Sequence, residues 1–198
     1  MFAVIDCNNF FVSCERVFNP AMEDRAVVVL SNNDGCVVSR SQQAKDIGIK
    51  MGTPAFKLAS EMGLKVVSSS EASKQWDKNE VVAFSSNYIL YGDMSRRVMN
   101  VLEELVPNLE IYSIDESFVE FKGFTVEQLA QKAQEIVYKV KRYTGIPVCV
   151  GIGETKTLAK VANRFAKKYK GYNGYCIIDT PQKLNKALSL TAIEDVWG

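Results

Sequence analysis

Short apolar runs, broken by turn residues, alternate with amphipathic stretches along the whole chain. Phe2-Ala3-Val4-Ile5 is a continuous apolar run ending at Asp6, the pattern of a strand buried on both faces in the middle of a sheet. Phe10, Phe11, Cys14, Val17 and Phe18 recur at helical spacing, with Asp6, Asn8 or Asn9 as the N-cap. Asn19-Pro20 ends that helix. Arg25 to Leu30 is the next buried strand. Ser31-Asn32-Asn33-Asp34-Gly35 is a turn cluster, and Cys36 to Ser39 returns as the second arm of a hairpin. Arg40 to Ile47 predicts a short helix stopped by Gly48. Met51 to Glu61 predicts another, with Pro54 at its first position, and Leu64 to Val67 a strand. Ser68 to Glu80 is polar, serine-rich and weakly patterned, the best candidate for an exposed connection and a lobe boundary.

Beyond it, apolar positions 94, 98, 101, 102 and 105 predict an amphipathic helix over 93–105, ended by Pro107. Strands are expected over 109–115 and 116–121. A second amphipathic helix follows over 127–143, stopped by Gly145-Ile146-Pro147, then a buried strand over 147–153. Without the long insertion, the order is β-α-β-β-α-β. This is the split βαβ or ferredoxin-like arrangement of the α+β class. In that arrangement the first and third strands are central neighbours, which sets Asp6 beside the hairpin carrying Asp115 and Glu116. The last informative stretch is a helix from Thr155 to Lys170, capped by Thr155 or Thr157. Leu158, Val161, Ala162 and Phe165 line one side, and Lys156, Lys160, Arg164, Lys167 and Lys168 the other.

Composition then narrows the chemistry. The chain has 198 residues, 47% of them hydrophobic, which is enough for one large or two small globular domains. Its net charge is only +1, so contact with nucleic acid has to come from local patches. There is no histidine. That excludes histidine triads, histidine acid–base catalysis and histidine-ligated zinc. Cys7, Cys14, Cys36, Cys149 and Cys176 form no CxxC pair, so neither a disulfide framework nor a zinc site is expected, and a reducing cytoplasm fits. Cys149 lies in an apolar run and reads as a buried thiol. No stretch has the length of a membrane span, and no signal peptide is seen at the N-terminus.

Asp115 and Glu116 sit between apolar flanks, Leu109 to Tyr112 and Phe118 to Phe121. On its own, such a pair is most simply a solvated turn. An unpaired buried carboxylate is costly, however, and neutralises, pairs with a cation or binds a metal. Neighbouring strand residues face opposite sides, so the two can converge only at a turn or bulge. With Asp6 beside them and no histidine, the donor set suits a hard cation with oxygen ligands, Mg²⁺ first, and the three carboxylates are expected to converge on one or two shared metals. Two such ions support in-line displacement at phosphorus. A charged helix face is usually only a solvated face, but the one-signed face over 156–168 next to this site fits attraction of phosphates. Arg40, Gln42, Gln43 and Lys45 face an anion or simply solvent. The reading reached from the residues is metal-assisted phosphoryl chemistry. A palm-fold nucleotidyl cyclase-like enzyme and a non-catalytic partner-binding fragment stay open beside a polymerase.

Several blocks then carry a more specific resemblance. They are Asp6-Cys7-Asn8-Asn9-Phe10-Phe11-Val12-Ser13-Cys14-Glu15, Val27 to Val37 with its Ser-Asn-Asn-Asp-Gly-Cys core, and Phe84 to Tyr88 with Tyr91 to Ser95. Further blocks are Ile111-Tyr112-Ser113-Ile114-Asp115-Glu116, Val150 to Gly153 with Thr155 to Lys160, and Asp195-Val196-Trp197-Gly198. Together they span essentially the whole chain and resemble the Y-family of translesion DNA polymerases, most closely its UmuC-type branch. The resemblance implies a polymerase palm (1–10 and 87–168), a small α/β fingers lobe inserted after the first strand (11–86), and the start of a thumb (169–198). It implies primer–template DNA and a deoxynucleoside triphosphate as substrates, and two Mg²⁺ ions, with Mn²⁺ as a substitute. The ligands would be Asp6, Asp115, Glu116 and the backbone carbonyl of Cys7. Phe11 falls on the steric-gate position, Lys45 and Lys167 on triphosphate contacts, and Lys156, Lys160 and Arg164 become candidate DNA or phosphate contacts. Gln42 stands where many members have a phosphate-binding Tyr, a departure that leaves that contact without its usual side chain. A UmuD-type accessory subunit, RecA and a sliding clamp are the implied partners of a full-length protein, in an SOS-type damage response in the cytoplasm. In the family Asp-Val-Trp-Gly leads into further DNA-gripping domains, so residues 1–198 alone are expected to keep the metal site and hold DNA weakly.

Overall fold

A computed structural model describes residues 1–73, 75 and 77–196. Trp197 and Gly198, the end of the Asp-Val-Trp-Gly block, lie outside the described residues. In chain order the first elements are β1 (Phe2–Cys7), α1 (Phe10–Phe18), β2 (Val27–Leu30), β3 (Val37–Arg40), α2 (Gln42–Asp46), α3 (Ala55–Ser60), β4 (Lys65–Val67) and β5 (Glu80–Ser85). They are followed by α4 (Tyr88–Leu105), β6 (Leu109–Ile111), β7 (Glu116–Glu120), α5 (Val126–Thr144), β8 (Val148–Gly153), α6 (Lys156–Lys168), β9 (Tyr175–Ile177) and α7 (Pro181–Ser189). The chain forms two compact units, one of Met1–Asn8 with Asp93–Gly198 and one of Asn9–Gly92.

The first unit is built on a five-stranded sheet in the order β6-β7-β1-β8-β9. β1 runs antiparallel to both β7 and β8, so the first strand is central, as its unbroken apolar run requires. Ala3, Val4 and Ile5 are almost fully buried. The β6-β7-β1-β8 portion is the split βαβ order expected from the sequence. β9 adds a parallel strand beside β8, so the expected thumb boundary at 168/169 falls before the last strand of this sheet. α5 carries a capping box, Thr125 with Gln128, and ends at Gly145 in the left-handed conformation, the usual helix stop.

α6 comes very close to β8 and β1. A Cβ on Gly151 would lie 2.1 Å from the Ala159 carbonyl oxygen and from the Asn163 amide nitrogen, so only glycine permits this approach. Asn163 is buried on the same face, and its Nδ2 donates to the carbonyl of Cys149 at 2.8 Å. A polar side chain in the core is tolerable when it is bonded in this way. Here it ties the helix to β8.

The second unit is a four-stranded sheet in the order β3-β2-β5-β4, with β2–β3 antiparallel as the hairpin reading expects. β5 pairs parallel with both β2 and β4. The sequence reading took 68–80 as an exposed connection and lobe boundary and saw no strand after it. Its described residues up to 79 are exposed or half-buried, as a connection should be, but it links β4 to β5 inside one unit and is not a lobe boundary, and Glu80 at its end is 1% exposed. The acid hides the strand start from a pattern reading. In the fold its carboxylate accepts from the Ser73 amide (3.0 Å) and hydroxyl (2.7 Å) and pairs with Lys65 (3.1 Å) and Arg25 (3.5 Å). Those bonds, Ser73's foremost, hold it below the usual glutamate range.

Candidate active site

Within the first unit, the register of the central strands decides the arrangement of the acids. Asp6 of β1 lies directly opposite Glu116 of β7. Directly opposed residues share a face with their Cβ atoms about 5 Å apart, and like charges so placed repel. Asp115 precedes β7 in the hairpin bend, and its carbonyl accepts the Cys7 amide at 2.9 Å. That bond fixes the bend to the end of β1. The Ser113 hydroxyl donates to Asp115 Oδ1 at 2.8 Å, while the amides of Tyr112 and Ser113 both donate to the Glu116 carbonyl at 3.0 Å. The tip is thus a tight, backbone-closed turn, the geometry that lets consecutive acids lie near Asp6.

Two lysines of α6 offset the crowded charge. Lys167 Nζ lies 2.5 Å from Asp6 Oδ1, and Lys160 Nζ 2.9 Å from Glu116 Oε2. Lys160 also sits over the Tyr112 ring, 4.7 Å from its centroid, a favourable placement for a cation. Burial pushes the Asp6 carboxyl above the usual aspartate range; Lys167 opposes this, and Asp115 and Glu116 add to it. A buried acid whose carboxyl stays raised even beside an ammonium is a candidate functional group.

The expected convergence of three carboxylates on one point is not what the structure shows. Among the described residues no three such side chains group closely enough to hold a metal ion, because Asp6 and Glu116 turn to their lysines. The one-signed face of α6 is likewise not left to solvent. Lys156 pairs with Glu110 at 2.6 Å and Arg164 with Asp195 at 2.5 Å. The sequence shows no acid within that stretch, but the sheet and the residues after the helix supply one to four of its five cations, and Lys168 stays exposed over the Tyr169 ring. A hard divalent cation still fits this donor set. The ligand atoms are oxygens, and they stand at one end of the paired strands β1 and β7.

The second unit holds Phe11 and Lys45. Asn9, at the N-cap position of α1, adopts a left-handed conformation and makes no capping bond. Its Oδ1 instead accepts from Lys45 Nζ at 2.6 Å, so the expected asparagine cap is replaced by a bond to α2. Gln42 bonds to Asp46 at 2.8 Å, Arg40 to the Ile49 carbonyl at 2.5 Å, and Gln43 to Arg16 at 3.0 Å. These side chains are committed within the protein. Phe11 is half-buried and stacks on Tyr91 with ring centroids 4.4 Å apart. The sequence places Tyr91 in one of the resemblance blocks without a role and gives Asn163 no signal; tertiary packing marks both.

The fold and the acid register define a chain of the impB/mucB/samB family (IMS), whose sequence profile matches residues 5–164. The protein belongs to that family. Over its whole length it is 45% identical to Protein UmuC of Salmonella typhimurium and 40% identical to Protein MucB of Escherichia coli, in each case spanning 44% of the relative. It is also 30% identical, over 84% of its length, to DNA polymerase IV of Picrophilus torridus. The chain therefore spans under half the length of these relatives. Among solved structures, DinB from Sulfolobus solfataricus matches all of the chain with a TM-score of 0.80 at 24% identity, over 54% of that protein, and an insertion ternary complex of Dbh DNA polymerase does so equally well. The fold is that of a Y-family polymerase palm and fingers. Among the described residues no helix is long and apolar enough to cross a membrane.

Proposed function

We propose that this chain is the catalytic portion of a translesion DNA-directed DNA polymerase that adds deoxynucleotides to a primer. Residues 1–10 and 87–168 act as the palm, 11–86 as the fingers, and 169–198 as the start of the thumb. The observation that carries the reading is the direct opposition of Asp6 and Glu116 on paired strands, with Asp115 tied to the same strand end. Opposed like charges cost stability and are kept where they are used. Asp6, Asp115, Glu116 and the Cys7 carbonyl are the ligands of two divalent ions, Mg²⁺ foremost. When bound, such ions neutralise the charge on the attacking and leaving oxygens of a nucleotidyl transfer.

The protein's own groups do the rest. Lys167, already at Asp6, moves its ammonium to the triphosphate, and Lys45 is a triphosphate contact of the fingers. Lys156, Lys160 and Arg164 hold the surrounding phosphates or the hairpin. Phe11 blocks a 2′-hydroxyl. The full-length protein works with primer–template DNA in the cytoplasm during an SOS-type response, with a UmuD-type subunit, RecA and a sliding clamp as partners.

Titration of Mn²⁺ with detection by electron paramagnetic resonance, with and without a deoxynucleoside triphosphate, tests the centre of this reading. The wild-type chain binds the ion, and Asp6→Ala combined with Asp115→Ala abolishes binding. No binding by wild type in the presence of triphosphate refutes it. Triphosphate turnover without DNA identifies a cyclase-like enzyme instead.

A further inference from the structure

Phe11 and Glu15 lie one helical turn apart on α1 and so project from the same face. Tyr91 spans both. Its ring lies on Phe11 with the planes only 15° from parallel, and its hydroxyl donates to Glu15 Oε1 at 2.7 Å. Tyr91 has no exposed surface. Tyr88, three residues earlier on α4, presents its ring edge to both, at 5.8 Å from Phe11 and 5.9 Å from Tyr91.

A phenylalanine has no polar atom to fix its ring, and its χ2 torsion is broad. The plane of a half-buried Phe11 is therefore set by what lies against it. Simple core filling would be served by any apolar residue at 91, without taking a carboxylate partly out of water, a cost that packing alone does not demand. Burial pushes both Glu15 and Tyr91 above their usual ranges, so the phenol stays a protonated donor throughout the neutral range.

We infer that Glu15 and Tyr91 are positioning residues that hold the Phe11 ring in one plane, and that they thereby set how strictly deoxyribose is told from ribose. The second half rests on the gate role proposed above for Phe11. The clamp joins two sequence blocks through a hydrogen bond and a stack, and it makes Glu15, which acts through Tyr91, a determinant of sugar choice.

The test uses the whole chain with para-fluorophenylalanine placed at position 11, read by ¹⁹F NMR. Equilibrium binding of dATP and ATP is measured on the same chain in the presence of Mn²⁺. Glu15→Leu and Tyr91→Leu should each displace the Phe11 resonance and reduce the preference for dATP by about tenfold, the size expected when a stack and its anchoring hydrogen bond are lost. Glu15→Gln keeps an acceptor and should restore both readouts towards wild type. Should either leucine variant fail to fold, Tyr91→Phe keeps the stack, removes only the hydroxyl, and should still displace the resonance. An unmoved Phe11 resonance in Glu15→Leu and Tyr91→Phe overturns the clamp. A displaced resonance in a chain whose wild type binds dATP and ATP equally upholds the clamp and overturns the gate.

Discussion

Replacing Gly151 with alanine is the sharpest single perturbation of the candidate site, although residue 151 touches none of the acids. The new methyl group would meet the Ala159 carbonyl oxygen and the Asn163 amide nitrogen at 2.1 Å, and the Asn163 Cα at 2.6 Å. These are backbone atoms, so no side chain can rotate away, and α6 has to back off by about 1 Å to reach van der Waals separation. Overpacking of this kind costs about 1–3 kcal/mol. The shift also stretches the 2.8 Å bond from Asn163 to the Cys149 carbonyl, weakening the bond of a buried side-chain amide for about another 1 kcal/mol or more. The expected loss is about 3 kcal/mol, read as a lowered urea midpoint at constant slope by circular dichroism. Because α6 carries Lys160 and Lys167, the same shift should weaken both ion pairs with Glu116 and Asp6 and alter Mn²⁺ affinity. A Gly151→Ala chain with a loss below about 0.5 kcal/mol and wild-type metal binding would show that the close approach of β8 and α6 does not position the site.

Further outcomes follow from the same contacts. Gly92→Ala is the matched control: no atom lies within 4 Å of the added methyl group and the residue is in a helix, so stability should rise by about 0.5–1 kcal/mol in the same urea experiment. Asn163→Ala should cost about 1–3 kcal/mol, with Asn163→Asp no better, because its carboxylate cannot donate to the Cys149 carbonyl. Glu80 is held below its unfolded value of 4.5 by Ser73 and Lys65. Its stabilising effect is therefore complete above that pH and lost as pH falls through the lower folded value. Glu80→Gln should remove that part of the acid-side slope in pH-dependent urea melts, at a cost of about 2–4 kcal/mol near neutrality.

Strand identity was legible wherever strands are buried on both faces, because unbroken runs such as Phe2 to Ile5 have no other economical placement. The split βαβ order then placed Asp6 next to Glu116 from the sequence alone. What escaped was tertiary. β5 was hidden because its first residue is a buried glutamate, and a pattern reading takes charge for solvent. α4 begins at Tyr88 rather than 93, because the Asn87 side chain accepts the Leu90 amide at 3.1 Å and caps an extra turn. The face of α6 misled for a related reason. The helix itself holds no acid, while Glu110, Glu116, Asp195 and Asp6 come to four of its cations from elsewhere in the fold.

Those ion pairs give the lysines a second consequence, argued from sign. A cation can reach Asp6 only after Lys167 has left its carboxylate, or by sharing it against ammonium repulsion. Removing the charge in Lys167→Met therefore has two opposed effects on the proposed ligands. Without triphosphate, the competitor is gone, and the isolated chain should bind Mn²⁺ more tightly, by about tenfold for a pair worth roughly 1.4 kcal/mol. With triphosphate, the partner that neutralises the phosphates is gone, and nucleotide affinity should fall. Lys167→Arg keeps the charge and should leave the metal isotherm near wild type. Metal titrations with and without triphosphate at one fixed pH separate the two effects. A Lys167→Met chain that binds Mn²⁺ more weakly in the absence of triphosphate would mean that Lys167 organises the acids and does not compete for them.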